Sequence, residues 1–226
     1  MAVPVIAICG IATDDASWLT MPVTRVFVPR GGSIAAMAET VLAELPERFA
    51  LCGHSMGGYV ALEIARQSGG RLAGLALLGS SAAADTPEQR AARDVVIAQA
   101  EHDFDGVADR LAPAMLSRPS RAVPGLLAEV RAMLMRCGAK LFAEQQAAAA
   151  TRPDYRASLA AIAVPTLVLA GDADRIVAPD RSREIADAIR GARFECVPDC
   201  GHVPQREAPG RVAFLLQQWA DEVTRL

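Results

Sequence analysis

The chain has 226 residues, 52% hydrophobic and 22% charged, a length and composition that support one hydrophobic core and exclude a disordered or fibrous polymer. A formal charge of -3 and a pI near 5.7 lack the basic excess that binding a phosphate backbone requires, so nucleic acid is not an expected partner. The five cysteines, Cys9, Cys52, Cys137, Cys196 and Cys200, contain no C-x-x-C pair, and they read as reduced thiols rather than zinc ligands or a redox couple.

The first β-rich run is Val3 to Cys9, and its apolar part, Val3 to Ile8, is too short to cross a bilayer and lacks the basic flank and small-residue cleavage site of a secretion signal. A cytoplasmic protein with no membrane partner is expected. Further short β-rich runs follow at Arg25 to Val28, Phe49 to Cys52, Leu72 to Leu78, Thr166 to Ala170 and Arg193 to Val197, each followed by an amphipathic or alanine-rich stretch. Alternating β and α units predict a parallel sheet covered by helices, and strands that are runs rather than alternations predict burial on both faces.

Between the strands, Ser33 is placed to cap a helix reaching about Leu45, with Ile34, Met37, Val41 and Leu45 on one side. A second helix runs from Gly57 to about Gln67 and stops at Ser68-Gly69-Gly70; Pro179 opens a third to about Arg190, closed by Gly191. Pro209 opens the last, which turns Val212, Leu215, Leu216, Trp219 and Val223 inward. From Ser81 to about Ala161 the β pattern disappears. This segment reads as three or four helices separated by Pro113, Pro119, Pro124, Gly138 and Pro153, with Ala147 to Ala150 as a high-propensity helix. The expected organisation is a core of residues 1–81 and 162–226 with a helical cap, 82–161, inserted between core strands.

The strongest chemical signal is Gly53-His54-Ser55-Met56-Gly57, set between an apolar strand and a helix. An abrupt strand-to-helix turn strains the central residue and needs small neighbours, and it lifts the serine above the strand ends beside a helix N-terminus. Backbone donors and the helix dipole favour an oxyanion there, and the Met56 amide is one such donor. A serine also needs a base, and a neutral imidazole works best when a carboxylate holds its tautomer. Gly171-Asp172-Ala173-Asp174-Arg175 follows one strand and Gly201-His202 follows the next, so all three groups lie after carboxyl ends of strands, where they can converge. His54 reads as structural, turned away from the site, and His102 as part of a solvated face beside Glu101 and Asp103.

The order Ser, Asp, His, carried by Gly53-His54-Ser55-Met56-Gly57-Gly58, Gly171-Asp172-Ala173-Asp174 to Pro179, and Asp199-Cys200-Gly201-His202, resembles the α/β-hydrolase superfamily over nearly the whole chain. The likeness is to small bacterial serine hydrolases similar to carboxylesterases and to the menaquinone-pathway hydrolase-like lyases. It implies an α/β-hydrolase fold with a shortened, mostly parallel sheet, esterase-like chemistry, and no metal or organic cofactor. The roles it implies are Ser55 as nucleophile, His202 as base and Asp174 as orienting acid, with Asp172 left to bond local amides. Three departures stand out. Cys9-Gly10 replaces the family's His-Gly pair, leaving Gly10 to make the turn and the Ile11 amide as second oxyanion donor; the usual leading hairpin is absent; and Leu19 to Thr24 is too short for the usual helix. About six strands are expected, with one flank less covered.

Met115, Leu116, Leu126, Leu127, Met133, Leu134, Leu141 and Phe142 are the apolar cap residues expected to roof a pocket for a small-molecule substrate, although most must also pack the cap. Carbon–carbon hydrolysis, lactone opening, perhydrolysis, a proton-abstracting lyase or a receptor that keeps the triad all stay open, since fold does not choose among them. A lyase for a polyanion requires arginines at the pocket, and Arg118, Arg121, Arg131 and Arg136 leave that open. Oligomeric state is not readable from the sequence.

Overall fold

Six strands form one sheet in a computed structural model that describes residues 3–225: β1 (Val5–Ile8), β2 (Arg25–Phe27), β3 (Phe49–His54), β4 (Leu72–Leu78), β5 (Thr166–Gly171) and β6 (Arg193–Val197). Their order is β2-β1-β3-β4-β5-β6, and every neighbouring pair is parallel. β3, β4 and β5 are buried along their whole length, as their unbroken apolar runs require. The chain leaves β1 for β2 on one side, whereas β3 lies on the other. The crevice at the carboxyl ends of β1 and β3 is therefore the switch point where such sheets bind ligands. Register puts Ile8 beside Gly53 and His54 beside Leu78, so the loops after β1, β3 and β4 emerge together.

One face of the sheet is covered by α1 (Ile34–Ala43), α2 (Met56–Gln67) and α7 (Pro179–Ala188), which bury Ile34, Met37, Val41, Ile64 and Ile185 against Ile6, Ile8, Leu51 and Leu75. Ser33 Oγ caps α1 by accepting from the Ala36 amide at 3.1 Å. That helix ends before Leu45 because its last amides turn to i−3 carbonyls, Glu44 to Val41 and Leu45 to Leu42. The opposite face has α9 (Pro209–Arg225), whose Val212, Leu215, Leu216, Trp219 and Val223 all point inward. Between β1 and β2 there is a single 3₁₀ turn, Asp15–Trp18, in place of a helix. Trp18 and Met21 fill part of the space left on that flank.

Four helices stand between β4 and β5: α3 (Pro87–His102), α4 (Phe104–Met115), α5 (Arg118–Arg121) and α6 (Leu126–Ala150). A 3₁₀ turn, Arg156–Ala161, leads back to β5. Thr86 and Gln89 form a reciprocal cap at the start of α3. Gly138, at φ 74° and ψ 162°, breaks α6 into two arms. The four helices bury a cluster of their own around Val107, Leu126, Val130, Met133, Leu134 and Phe142. Ala12 and Val203, from loops of the sheet domain, belong to the same cluster, which seats the helices on the carboxyl ends of the strands. Between α7 and α9 lies α8 (Pro204–Glu207). Among the described residues no helix is long and apolar enough to cross a membrane.

Candidate active site

The turn from β3 into α2 places Ser55 at φ 52° and ψ −117°, a conformation that costs a non-glycine residue about 1–3 kcal/mol. The turn is tight enough that a Cβ on Gly57 would stand 2.1 Å from the Ile8 carbonyl oxygen, and one on Gly53 would stand 2.5 Å from that of Gly57. Only glycine fits at either position. Ser55 precedes the first residue of α2, yet its side chain makes no capping bond. The hydroxyl turns instead to His202 and donates to Nε2 at 2.9 Å. His202 Nδ1 in turn donates to Asp174 Oδ2 at 2.8 Å.

This relay fixes the imidazole tautomer: with its proton on Nδ1, the lone pair on Nε2 faces the serine. Ser55, His202 and Asp174 are all buried. Burial alone would raise the pKa of Asp174, but the neighbouring His202 and the amides of Val177 and Ile176 outweigh it and hold the carboxyl below its ordinary range. The two amides donate to Asp174 Oδ1 at 2.9 Å and 2.8 Å, leaving Oδ2 for the histidine. Asp172 is exposed and among the described residues accepts only from the Cys200 amide, at 3.3 Å.

The loop that carries His202 is held from several sides. Glu207 accepts from the amides of Gly201, Val203 and Ser117 at 2.9, 3.2 and 2.8 Å, and the His202 amide donates to the Met115 carbonyl at 2.8 Å. His54, expected to face away, lies against the site. Its ring centroid is 5.0 Å from that of His202, and its Nε2–H donates to the His202 carbonyl at 2.7 Å. Complete burial, reinforced by the nearby His202, lowers its pKa to about 3, so it stays neutral and positions the backbone. Alternation along the strand gave the wrong direction because β3 ends at His54 and the elbow begins there.

On the β1 side, Gly10 lies so close to the nucleophile that a Cβ there would stand 3.0 Å from Ser55 Cβ. Ile11 follows it and lines the cavity over Ser55. The next amide, of Ala12, donates at 2.9 Å to Oε1 of the fully buried Gln145 on α6, whose Nε2 donates at 3.0 Å to the Pro29 carbonyl after β2. All five cysteines are free, and burial pushes the Cys9 thiol up to about 12. His102 is exposed. Among the described residues no three His, Cys, Asp or Glu side chains stand together as a metal site.

Above Ser55 and His202 opens a cavity of about 680 Å³. Of the eight apolar residues expected to roof it, only Met115 lines it, joined by Leu111, Tyr59, Ile176 and Val177. Leu116, Leu126, Met133, Leu134 and Phe142 are spent on the cluster within the helices, and Leu127 borders a separate surface depression. The four arginines singled out in sequence are also elsewhere: Arg131 pairs with Asp105 and Asp109, Arg136 with Asp14, and Arg118 and Arg121 lie outside the cavity. Five others, Arg93, Arg152, Arg156, Arg175 and Arg181, line it instead.

The model of the alpha/beta hydrolase family matches residues 12–213. A pimeloyl-[acyl-carrier protein] methyl ester esterase of Aromatoleum aromaticum is 30% identical, over 83% of this chain and 80% of its own length. A thermophilic esterase of Thermogutta terrifontis, solved with malate bound, superposes with a TM-score of 0.90 at 28% identity, covering 99% of this chain and 91% of that one. The enol-lactonase of Burkholderia xenovorans shares the fold, with a TM-score of 0.86 at 23% identity and coverage of 98% and 92%. With nearly its whole length matched in sequence and in fold, the chain belongs to the α/β hydrolase family.

Proposed function

We propose that the protein cleaves a small carboxylic ester through an acyl-enzyme formed on Ser55. The observation that carries this reading is the unbroken relay Ser55–His202–Asp174, at 2.9 Å and 2.8 Å, opening into a cavity large enough for a small substrate. His202 Nε2 takes the Ser55 proton as Oγ attacks the ester carbonyl carbon. The tetrahedral oxyanion is held by the amides of Met56 and Ile11; the first of these has no intrahelical partner, and the second follows the close approach of Gly10 to Ser55. Collapse expels the alcohol, which receives the proton from His202. Water then attacks the acyl-enzyme with the same base, releasing the acid and restoring Ser55.

Residues 82–161 serve as a cap over the core formed by residues 1–81 and 162–226, of which residues 1, 2 and 226 lie outside the described part. Support for the cap comes from Ala92, Arg93, Leu111, Met115 and Gln146, which reach the cavity from α3, α4 and α6. The relatives named as methyl ester esterases favour an ester over the other bonds this triad can break. We place the reaction in the cytoplasm on a small-molecule ester.

The test is intact-mass spectrometry after reaction with a fluorophosphonate. One adduct is expected on the wild-type protein and none on Ser55→Ala, whose ester turnover drops by up to about 10⁶-fold. An adduct that survives the substitution overturns the assignment.

A further inference from the structure

The cavity that contains Ser55 is unusually charged on the side away from the relay. Its deepest charged group is Asp85, which follows β4 and has a side chain only 1% exposed. Two guanidinium groups share this one carboxylate: Arg93 donates through Nε to Oδ2 at 2.6 Å, and Arg152 approaches Oδ1 at 2.7 Å. Arg152 is 5% exposed and Arg93 18%, so a net positive charge is held out of bulk water and against the cavity. The other groups on the cluster are neutral: the carbonyls of Ala83 and Ala149 accept from Arg152 at 2.7 and 3.3 Å, its guanidinium lies 4.3 Å over the Tyr59 ring, and Gln146 Oε1 accepts from Arg93.

Toward the mouth the imbalance continues. Arg156 pairs with Asp154 and Glu184, and Arg181 shares that same Glu184 at 3.4 Å. Arg175, exposed beside Asp174, forms no ion pair among the described residues. A buried ion cluster with one charge left over is costly unless something completes it, because the low-dielectric surroundings screen it poorly. In a cavity whose lining holds five arginines and the single carboxylate of Asp85, the natural complement is a ligand anion.

Resting on the serine hydrolase reading above, we propose that the ester this enzyme cleaves also carries a carboxylate, which docks against Arg93 and Arg152 while the ester carbonyl lies over Ser55. A single surplus guanidinium matches a monoanion. A dianionic phosphate monoester leaves one charge uncompensated at that depth. Arg175 and Arg181 draw the anion in from the mouth and fix no position.

The experiment compares kcat/KM for esters matched in length: monomethyl glutarate against methyl valerate, with the charge on the acyl side, and 4-acetoxybutanoate against butyl acetate, with it on the alcohol side. At least one anionic ester should exceed its neutral partner by about 10-fold or more. In Arg93→Gln that ratio falls toward one, and Arg93→Lys, which keeps the charge but loses the fork, restores part of it. The same question is read without turnover by the rate at which a neutral fluorophosphonate labels Ser55: glutarate should slow labelling and pentane-1,5-diol should not. Normal labelling with no preference in turnover or protection overturns the anion subsite alone. A protein whose Ser55 is not labelled overturns the hydrolase reading and the subsite with it.

Discussion

The floor and the roof of the cavity differ in what holds them. The floor, formed by the loops after β1, β3, β5 and β6, is fixed by backbone: a strained serine, glycines at which no Cβ fits, and carboxylates that bind amides. The roof and far wall are held by side chains, with Phe142 and Met133 packed inside the helices and Arg93, Asp85 and Arg152 turned to the cavity. Backbone constraints tolerate few substitutions, whereas side chains on a helical frame can be exchanged one at a time. On the proposed reading, the chemistry sits where change is hardest, and substrate choice where it is easiest.

The largest effect expected from the floor is loss of the acid. Asp174→Asn removes the acceptor that fixes the His202 tautomer and should lower kcat by about 10⁴ with little change in melting temperature. The Asp172 carboxylate accepts from the Cys200 amide and not from His202, so Asp172→Asn should keep most activity. Steady-state kinetics on both folded variants decide, and the reverse ranking would show that the floor is organised around the other aspartate.

In the roof, Phe142→Ala should cost about 3–5 kcal/mol of unfolding free energy by opening a void beside Phe104. If roof and floor are as separable as the contrast implies, fluorophosphonate labelling of Ser55 persists in the folded fraction. Urea unfolding followed by labelling tests both parts, and loss of labelling in folded protein shows that the helices help to shape the floor.

The smallest effect sharpens the floor itself. His54 has a pKa of about 3 when folded against 6.5 for an ordinary histidine, so between those values the unfolded chain binds the additional proton. The stability contributed by neutral His54 is complete above about pH 6.5 and is lost as pH falls toward 3, at up to about 1.4 kcal/mol per pH unit. His54→Asn, which can still donate to the His202 carbonyl, should flatten the dependence of urea unfolding on pH between 7 and 5. An unchanged slope places the titration elsewhere.

The floor was also the legible half. All six strands lie where short β-rich runs stand, and burial on both faces leaves the unbroken apolar signature of β1, β3, β4 and β5, while the edge strands β2 and β6 are only partly buried. Ser55, Asp174 and His202 were readable because each follows a strand end in a short glycine-bearing motif. The charged wall was not: Asp85, Arg93, Gln146 and Arg152 come from two loops and two helices, with no spacing that ties them together. The roof misled for a related reason. Apolar periodicity marks which side of a helix is buried but not against what, and here most of that side faces other helices rather than the cavity.

Gln145 gives the roof a mechanical role. One amide group clasps both the loop after β1, at Ala12, and the loop after β2, at Pro29. Swinging α6 away as a hinged flap would break both bonds and strand buried polar groups, at about 1–3 kcal/mol for each. The second arm of α6 is thus tied to the sheet domain, and the loop after β1 beneath it is braced before any ligand arrives. With the frame tied at both loops, the rate of admission should respond to the arginine rim rather than to any opening of the helices.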